Sequence, residues 1–169
     1  MKKPLILILC LLVFLAYACE NKENQEPEFI LNTDIPDGQL YSGFSFEKMK
    51  IITGPNSENI IPDFLVACLM NDLGEISGPF LSHPNLESRF VLLNSYDNLN
   101  SAKNNFDTLS TISNQPPTTF ALDIKPFEIW QIKTSTDDVS LILIIEAKAE
   151  KIGSSAFAEI KFKARKIIP

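Results

Sequence analysis

Residue types that carry catalysis or bind metals are scarce in this chain, which has one histidine and three cysteines in 169 residues. Any Ser-His-Asp or Cys-His catalytic set must include His83, and a typical zinc site needs three or four His, Cys or acidic ligands. His83 lies in the segment LSHPN, and this composition predicts a solvent-exposed turn residue. The chain has neither a G-x-S-x-G nucleophile motif nor a Gly-rich phosphate loop. We therefore predict no enzyme, no cofactor and no metal site.

Acidic pairs and the internal cysteine are the next candidates for chemistry. Asp72 and Glu75 in the segment NDLGE offer the hard oxygen ligands that calcium prefers, but the rest of an EF-hand loop is missing. Asp137 and Asp138 fall in the turn STDD, where aspartate is favoured for backbone reasons. Cys68 lies in the apolar run FLVACLM, which predicts a small buried hydrophobe and not a reactive thiol.

The charge balance limits the partners of the protein. Acidic residues outnumber basic ones by 21 to 15, for a formal net charge of −6. Such a surface repels phosphate backbones and anionic bilayers, so we expect no nucleic acid partner. The local exception is a basic stripe formed by Lys161, Lys163, Arg165 and Lys166. This stripe is predicted to be the solvated face of a strand, where lysine also blocks edge pairing, with a patch for an acidic partner as the alternative.

The N-terminal residues predict export. Lys2 and Lys3 precede an apolar run from Pro4 to Leu15, which is followed by the segment AYAC. The run is shorter than the roughly 20 residues of a membrane-spanning helix, and this order of positive, apolar and small residues is typical of a secretory signal. The segment LAYAC also resembles a bacterial lipobox, in which the cysteine is acylated. We predict a lipoprotein signal peptide over 1–18 and a lipid on Cys19, with a soluble secreted protein as the alternative.

The mature chain divides into a tether and one domain. Residues 19–40 consist of Cys19, the acidic, polar segment ENKENQEPE and the residues up to position 40, and they are predicted to be a flexible tether, in which EFILN could add a short strand. Residues 41–169 are predicted to be a single β-rich domain, which is long enough for one hydrophobic core. If Cys19 carries lipid, Cys68 has no partner and no disulfide is expected.

The first part of this domain predicts strands separated by turns rich in Gly, Pro and Asn. The segment YSGFSFEKMKII is typical of a strand with one slip in its alternation. The run from Phe64 to Met70 has the length of a strand buried on both faces. The segment NDLGEISGPFLSHPN shows no period and predicts a loop, and SRFVLL predicts a short strand.

One helix is predicted, over about 97–111. Its apolar face consists of residues spaced by three or four positions: Leu99, Ala102, Phe106 and Leu109. Asp97 or Ser95 could cap its start. Its many Asn and Ser residues make it a weak helix alone, so we expect it to be held by docking on a sheet.

The C-terminal part predicts an antiparallel meander of three strands, FEIWQIKT, VSLILIIEAKAE and AFAEIKFKARKI, joined by short turns. In the last strand, apolar and charged residues alternate. Ala158, Ile160, Phe162 and Ala164 should therefore face a core, while the charged side chains between them face water. The predicted fold is mainly β, an antiparallel sandwich or curved sheet with one amphipathic helix, with α+β as the alternative.

The same C-terminal stretch, from IWQIKTSTDD to KARKI, resembles the end of β-rich lipoproteins of the Bacteroidetes over roughly residues 126–167. It is similar to the haem-binding HmuY-type lipoproteins. The acidic stretch after Cys19 also resembles the surface-export signal of that phylum. The resemblance implies an antiparallel β fold at the cell surface and transfer of haem to an outer-membrane receptor. Haem is held by two histidines in the best-known type and by methionines in some relatives. This chain has only His83, and Met49 and Met70 are predicted to fill gaps in the core, so no haem ligand is carried over.

These observations predict a non-enzymatic, membrane-anchored lipoprotein that binds a protein, a glycan or a small ligand at the outer membrane or cell surface. A periplasm-facing or a secreted protein is the alternative location. Tyr41, Phe80 and Tyr96 lie near predicted loops and are candidate contacts. The alternative function is a carrier of haem or another hydrophobic small ligand, in a groove beside the segment SGPFLSHPN. The expected partners are therefore the membrane, through Cys19, and an envelope protein or a small hydrophobic ligand.

Overall fold

A computed structural model describes residues 27–167 of the chain. The predicted signal peptide, Cys19 and the first part of the predicted tether lie outside these residues. The described residues form one helix and ten strands: β1 (Glu28–Asn32), β2 (Tyr41–Ser45), β3 (Lys50–Gly54), β4 (Leu65–Met70), β5 (Ile76–Ser82), β6 (Phe90–Ser95), α1 (Leu99–Thr108), β7 (Phe120–Ala121), β8 (Glu128–Lys133), β9 (Val139–Ile152) and β10 (Ser155–Lys166). The prediction of a mainly β fold with one helix is confirmed.

The strands form two layers. The first sheet has the order β1-β10-β9-β8-β6, and every pair in it is antiparallel. The second layer contains the sheet β4-β5-β7 and the hairpin β2-β3, which a bridge between Phe44 and Phe64 links to β4. The C-terminal meander is confirmed as β8-β9-β10. The short strand expected in EFILN is β1, which pairs with β10, so the first sheet includes residues from Glu28 onward.

The main core lies between the two layers. Phe44 is at its centre, and its ring centroid is 5.1 Å from that of Phe162 in the first sheet and 4.7 Å from that of Phe29. Both pairs meet edge to face, which is a favoured arrangement of aromatic rings. Ala158, Ile160, Phe162 and Ala164 are all buried here, as their alternation predicts. Each fully buried phenylalanine contributes about 1.5 to 3 kcal/mol of transfer free energy.

A bulge in β9 explains why its sequence reads as a continuous apolar run. Phe162 pairs with Ile144 and Lys161 pairs with Glu146, so Ile145 is an extra residue on β9. Before the bulge Ile142 and Ile144 face the main core, and after it Ala147 and Ala149 do. The side-chain phase therefore shifts by one residue.

Helix α1 docks on the other face of the first sheet. Ala102 and Phe106 are buried against Ile129, Leu141 and Leu143, which form a second core cluster. Docking of the predicted apolar face is confirmed, but the N-cap is neither Asp97 nor Ser95. The cap is Asn98, whose side-chain oxygen accepts a hydrogen bond from the Ser101 N–H at 2.9 Å. An asparagine with extended backbone at this place suits the free N–H groups of the first turn.

Two predictions about β2 to β4 are wrong. The single strand expected over YSGFSFEKMKII is the hairpin β2-β3, and the slip in its alternation is the turn between them, where Met49 has a φ of 49°. The strand after it, β4, is buried on one face only. Val66 is in the core whereas Leu69 is 65% exposed, because no further layer of residues 27–167 covers the outer side of the second layer.

The loop expected over residues 71–85 is also wrong, because Ile76–Ser82 forms β5, the central strand of its sheet. Register with β4 shifts between Ala67 and Leu69, where Cys68 faces both Gly78 and Pro79. This bulge interrupts the alternation that would have indicated a strand. Gly78 has a φ of 123°, a conformation that side-chain-bearing residues rarely adopt.

Candidate functional site

His83 is buried, which overturns the prediction of a solvent-exposed turn residue. It is 2% exposed, and its Nδ1 accepts a hydrogen bond from the Asn85 N–H at 3.2 Å. The ring is therefore held as the neutral tautomer with its proton on Nε2. Burial, and then the nearby charge of Arg89, lower the pKa of His83 below its usual value. A buried neutral imidazole of this kind is not placed to act on a substrate from solvent.

Arg89 explains why the segment around His83 folds inward. Its guanidinium donates hydrogen bonds to the backbone carbonyls of Lys133 and Thr134 and pairs with the Glu87 carboxylate. These bonds tie the loop before β6 to the end of β8. The composition of LSHPN predicts a turn, but it does not reveal that Arg89, six residues after His83, bonds to the end of β8 and holds this segment against the core.

The other predicted chemical groups have structural partners. Cys68 is half-buried and packs against the main core. Burial raises the pKa of its thiol, which agrees with a packing role and not with a reactive thiol. The Glu75 carboxylate accepts a hydrogen bond from the Asn71 amide at 2.7 Å. Asp137 pairs with Lys133 at 2.9 Å, and Asp138 accepts the Thr136 hydroxyl. In residues 27–167 no three His, Cys, Asp or Glu side chains are grouped to hold a metal ion.

The basic stripe is not the solvated face that its alternation predicts. Lys161 pairs with Glu28 at 2.8 Å, and Lys163 is buried. Arg165 donates to the backbone carbonyl of Phe106 at 3.0 and 2.7 Å and also to that of Leu109. For Arg165 the reason is α1, which leaves carbonyls at its C-terminus that a cation can satisfy. Lys166 is the member of the stripe that stays exposed.

An apolar pocket opens on the outer face of the second layer, and we define it by Leu69 of β4, Ser77, Gly78 and Phe80 of β5, Phe120 of β7, and the following Leu122 and Asp123. Its volume is about 220 Å³. The rings of Phe80 and Phe120 form its floor, with centroids 6.0 Å apart and planes at 86°. At its rim Leu69 and Leu122 are 65% and 63% exposed. Soluble domains seldom expose grouped large apolar side chains unless these contact something.

Gly78, at one wall of this pocket, allows β4 and β5 to approach closely at the bulge. A Cβ on Gly78 would lie 3.2 Å from the Cβ of Cys68 and 3.3 Å from the Ala67 carbonyl oxygen, closer than most real contacts. Glycine therefore fits the bulge, after which Ser77 pairs with Leu69.

The aromatic residues singled out in the sequence have different fates. Phe80 lies in the apolar pocket, and the segment SGPFLSHPN contributes Ser77 and Gly78 to it as well. Tyr41 covers Gly54 on the paired strand β3, where any added side chain would collide with its ring. Tyr96 packs on the second core cluster under α1.

The methionines differ in the same way. Met49 packs against the main core as a gap-filler, whereas Met70 at the end of β4 is 39% exposed. Sequence reasoning missed Leu69, Phe120 and Leu122, the residues that give the pocket its rim. These residues are exposed because they lie on the outer face of the second layer, and the sequence does not show which layer is left uncovered.

Comparisons with known proteins found no matching family model, curated protein or solved structure. The resemblance to HmuY-type lipoproteins therefore stays a prediction. No helix among the described residues is long and apolar enough to cross a bilayer.

Proposed function

We propose that this protein is a non-enzymatic lipoprotein, anchored at the outer membrane or cell surface through Cys19, that binds another envelope protein through its apolar pocket. The observation that carries the proposal is the exposed pair Leu69 and Leu122 at the rim of a pocket with an aromatic floor. Apolar anchors inserted in such pockets supply most of the binding energy of protein interfaces.

The size of the pocket favours a side chain as its occupant. A cavity of about 150 Å³ takes up one benzene ring, and pockets for drug-sized ligands measure about 300 to 1,000 Å³. At about 220 Å³ the apolar pocket suits one aromatic or branched aliphatic side chain of a partner. The carrier hypothesis rests on this same pocket, with one small apolar ring as the cargo that its size admits.

The position of the pocket suits a membrane-anchored receptor. Glu28, where the tether would join the domain, pairs with Lys163 near the end of β10. Asp63 and Lys166 line one cavity, so the start of β4, just after Phe64, lies at the same end of the domain as the end of β10. Leu69 is near the far end of β4, about 17 Å from Phe64 at 3.3 Å per residue. The nine residues from Cys19 to Glu28 reach at most about 30 Å, so a lipid on Cys19 would hold the start of β1 within about that distance of the bilayer.

A binding role suits the described chemistry better than a catalytic one. The one histidine of the chain is buried and neutral, and the half-buried Cys68 has a raised pKa. Among the residues that line the pocket, the one titratable side chain is Asp123 at the rim.

Site-specific photocrosslinking in the native cells tests this proposal. A photoreactive phenylalanine analogue replaces Leu122 in the pocket, or Ile30, which is 53% exposed on the first sheet, as the matched control. We expect one envelope protein crosslinked from position 122 and not from 30, and loss of that adduct when Leu69→Lys is added. Equal adducts from both positions, or no adduct from position 122, would contradict the proposal. A bound small molecule seen by native mass spectrometry, with no protein adduct, would favour the carrier.

A further inference from the structure

A second cavity lies at the opposite end of β4 and is lined mainly by polar groups. Its walls come from the end of β2, the residues before β4, the turn between β8 and β9, and the end of β10. Its volume is about 140 Å³. We call it the polar cavity, and it is separate from the apolar pocket in position and lining.

The polar cavity is rigid because Asp63 ties its walls together. Asp63 is 3% exposed. Its two carboxylate oxygens accept the N–H of Phe46 at 2.7 Å and the N–H of Ser135 at 2.6 Å. These short, charge-assisted bonds fix the turn after β2 and the turn after β8 relative to each other. A site held in this way loses little conformational entropy when a ligand enters.

Five of the eleven lining residues carry a hydroxyl group, and one buried hydroxyl has no partner among the described residues. Thr136 donates to the Asp138 carboxylate at 2.8 Å and is 3.0 Å from the hydroxyl of Thr134. Ser140 is 1% exposed, and its Oγ has no hydrogen-bond partner among the described residues. A buried hydroxyl left without a partner costs free energy, so a ligand group that reaches the Ser140 Oγ would gain a hydrogen bond.

We propose that the polar cavity binds a single sugar ring, the terminal residue of a glycan. Serine and threonine hydroxyls both donate and accept hydrogen bonds, as the hydroxyls of a sugar do. The carboxylates of Asp63 and Asp138 add acceptors, and the exposed Lys166 adds a donor at the rim. Ile61, 46% exposed, supplies an apolar wall for the C–H face of a ring.

Size limits the ligand and charge favours this class. Because a cavity of roughly 150 Å³ takes up only one benzene molecule, a volume of about 140 Å³ would hold one face of a single sugar ring, with the rest of the ring at the cavity mouth. An inorganic anion would meet the carboxylates of Glu47, Asp63 and Asp138, and a metal cation would meet Lys166. A neutral, polyhydroxylated molecule meets neither repulsion and can exchange hydrogen bonds with the hydroxyl groups of the lining.

The test is an NMR titration of the mature chain carrying Cys19→Ser, labelled with ¹⁵N, with methyl glycosides of glucose, galactose, mannose and N-acetylglucosamine. We expect saturable shifts for at least one glycoside, with a dissociation constant in the millimolar range typical of one small ring. The shifts should centre on the amides of Phe46 and Ser135, which bond to Asp63. Glycerol serves as the control for weak, unspecific polyol effects.

Ser140→Ala separates binding from structure. Because the Ser140 hydroxyl has no partner among the described residues, its removal should leave the melting temperature unchanged or raise it. Loss of one hydrogen bond to the ligand should weaken glycoside affinity about threefold to tenfold. Ser77→Ala, in the apolar pocket, is the matched control and should change neither.

Three results would overturn the proposal: no saturable shift with any glycoside, shifts that map to the apolar pocket, or an affinity unchanged in Ser140→Ala. Saturable shifts with inorganic phosphate in place of glycosides would overturn it as well. Because the two sites are separate, failure here leaves the photocrosslinking result at Leu122 unaffected, and the reverse holds too.

Discussion

Replacement of Asp63 by asparagine exchanges one carboxylate oxygen for an NH₂ group and should markedly lower the free energy of unfolding. In the native structure each carboxylate oxygen accepts one backbone N–H, from Phe46 and from Ser135. Asparagine keeps one oxygen as a neutral acceptor and turns an NH₂ donor toward the other N–H. One buried N–H then loses its partner, because Asp63 is 3% exposed and water has little access to this position.

The magnitude follows from these two bonds. A hydrogen bond to a charged group contributes about 1.5 to 3 kcal/mol, and a neutral one about 1 kcal/mol. The Asp63→Asn variant would lose one bond entirely and the charge assistance of the other, while the neutral amide is cheaper to bury than a carboxylate. The expected net loss in the free energy of unfolding is about 2 to 3 kcal/mol.

Equilibrium unfolding in urea measures this loss. Trp130 is the single tryptophan of the chain and is buried, so its fluorescence should report the transition. With an m-value of about 2 kcal/mol/M, the midpoint should fall by about 1 to 1.5 M in Asp63→Asn. Asp138→Asn, in the exposed turn after β8, is the matched control and should stay within about 0.5 kcal/mol of the wild type. A midpoint for Asp63→Asn that matches this control, at unchanged m, would refute the reasoning.

Four further predictions concern stability and anchoring. Stability should fall as the pH drops below the ordinary histidine pKa of 6.5, because the pKa of His83 is lowered in the folded state and the unfolded chain takes up the proton first. Urea unfolding measured above and below this pH should show the fall. The His83→Gln variant should lose this part of the pH dependence. Arg165→Lys keeps the charge but loses the forked bonds to the end of α1, so urea unfolding should show a loss of about 1 to 2 kcal/mol, and no loss would contradict the capping role. Asn98→Ala should cost about 1 kcal/mol in the same assay through loss of the N-cap, whereas the exposed Asn100→Ala should cost much less. Cys19→Ser should move the protein from the membrane fraction to the soluble fraction, and full retention in the membrane would argue against a lipid anchor.

The elements that the sequence predicts correctly are those whose own periodicity is complete. Alternation in AFAEIKFKARKI places Ile160 and Phe162 in the core, and the spacing of Ala102 and Phe106 marks the docked face of α1. In both cases one face of an element meets one core, so a local pattern carries the information. The turn residues between β8, β9 and β10 then determine an antiparallel meander.

Prediction fails where a bulge or a neighbouring layer intervenes. Alternation in β5 is broken at Gly78, so a central strand reads as a loop, and β4 reads as buried on both faces although no described layer covers its outer side. The alternation in β10 predicts a solvated Lys163, yet this residue is buried. Each error depends on which strand or layer packs against a residue. The order of residue types along the chain does not carry this information.

The sequence alone therefore determined the export signal hypothesis, the β class, the helix and the C-terminal meander, since these follow from local order and period. Only the tertiary structure decided the two candidate sites. Leu69 and Leu122 line one pocket from the two sides of β5, and Asp63 accepts a hydrogen bond from Ser135 over 72 positions of sequence. Both sites arise from the stacking of the two layers. The apolar pocket forms because no other part of residues 27–167 covers the outer face of the second layer. The polar cavity forms where turns from both layers meet at one end of the stack. A site assembled from distant segments has no period that a local pattern could show.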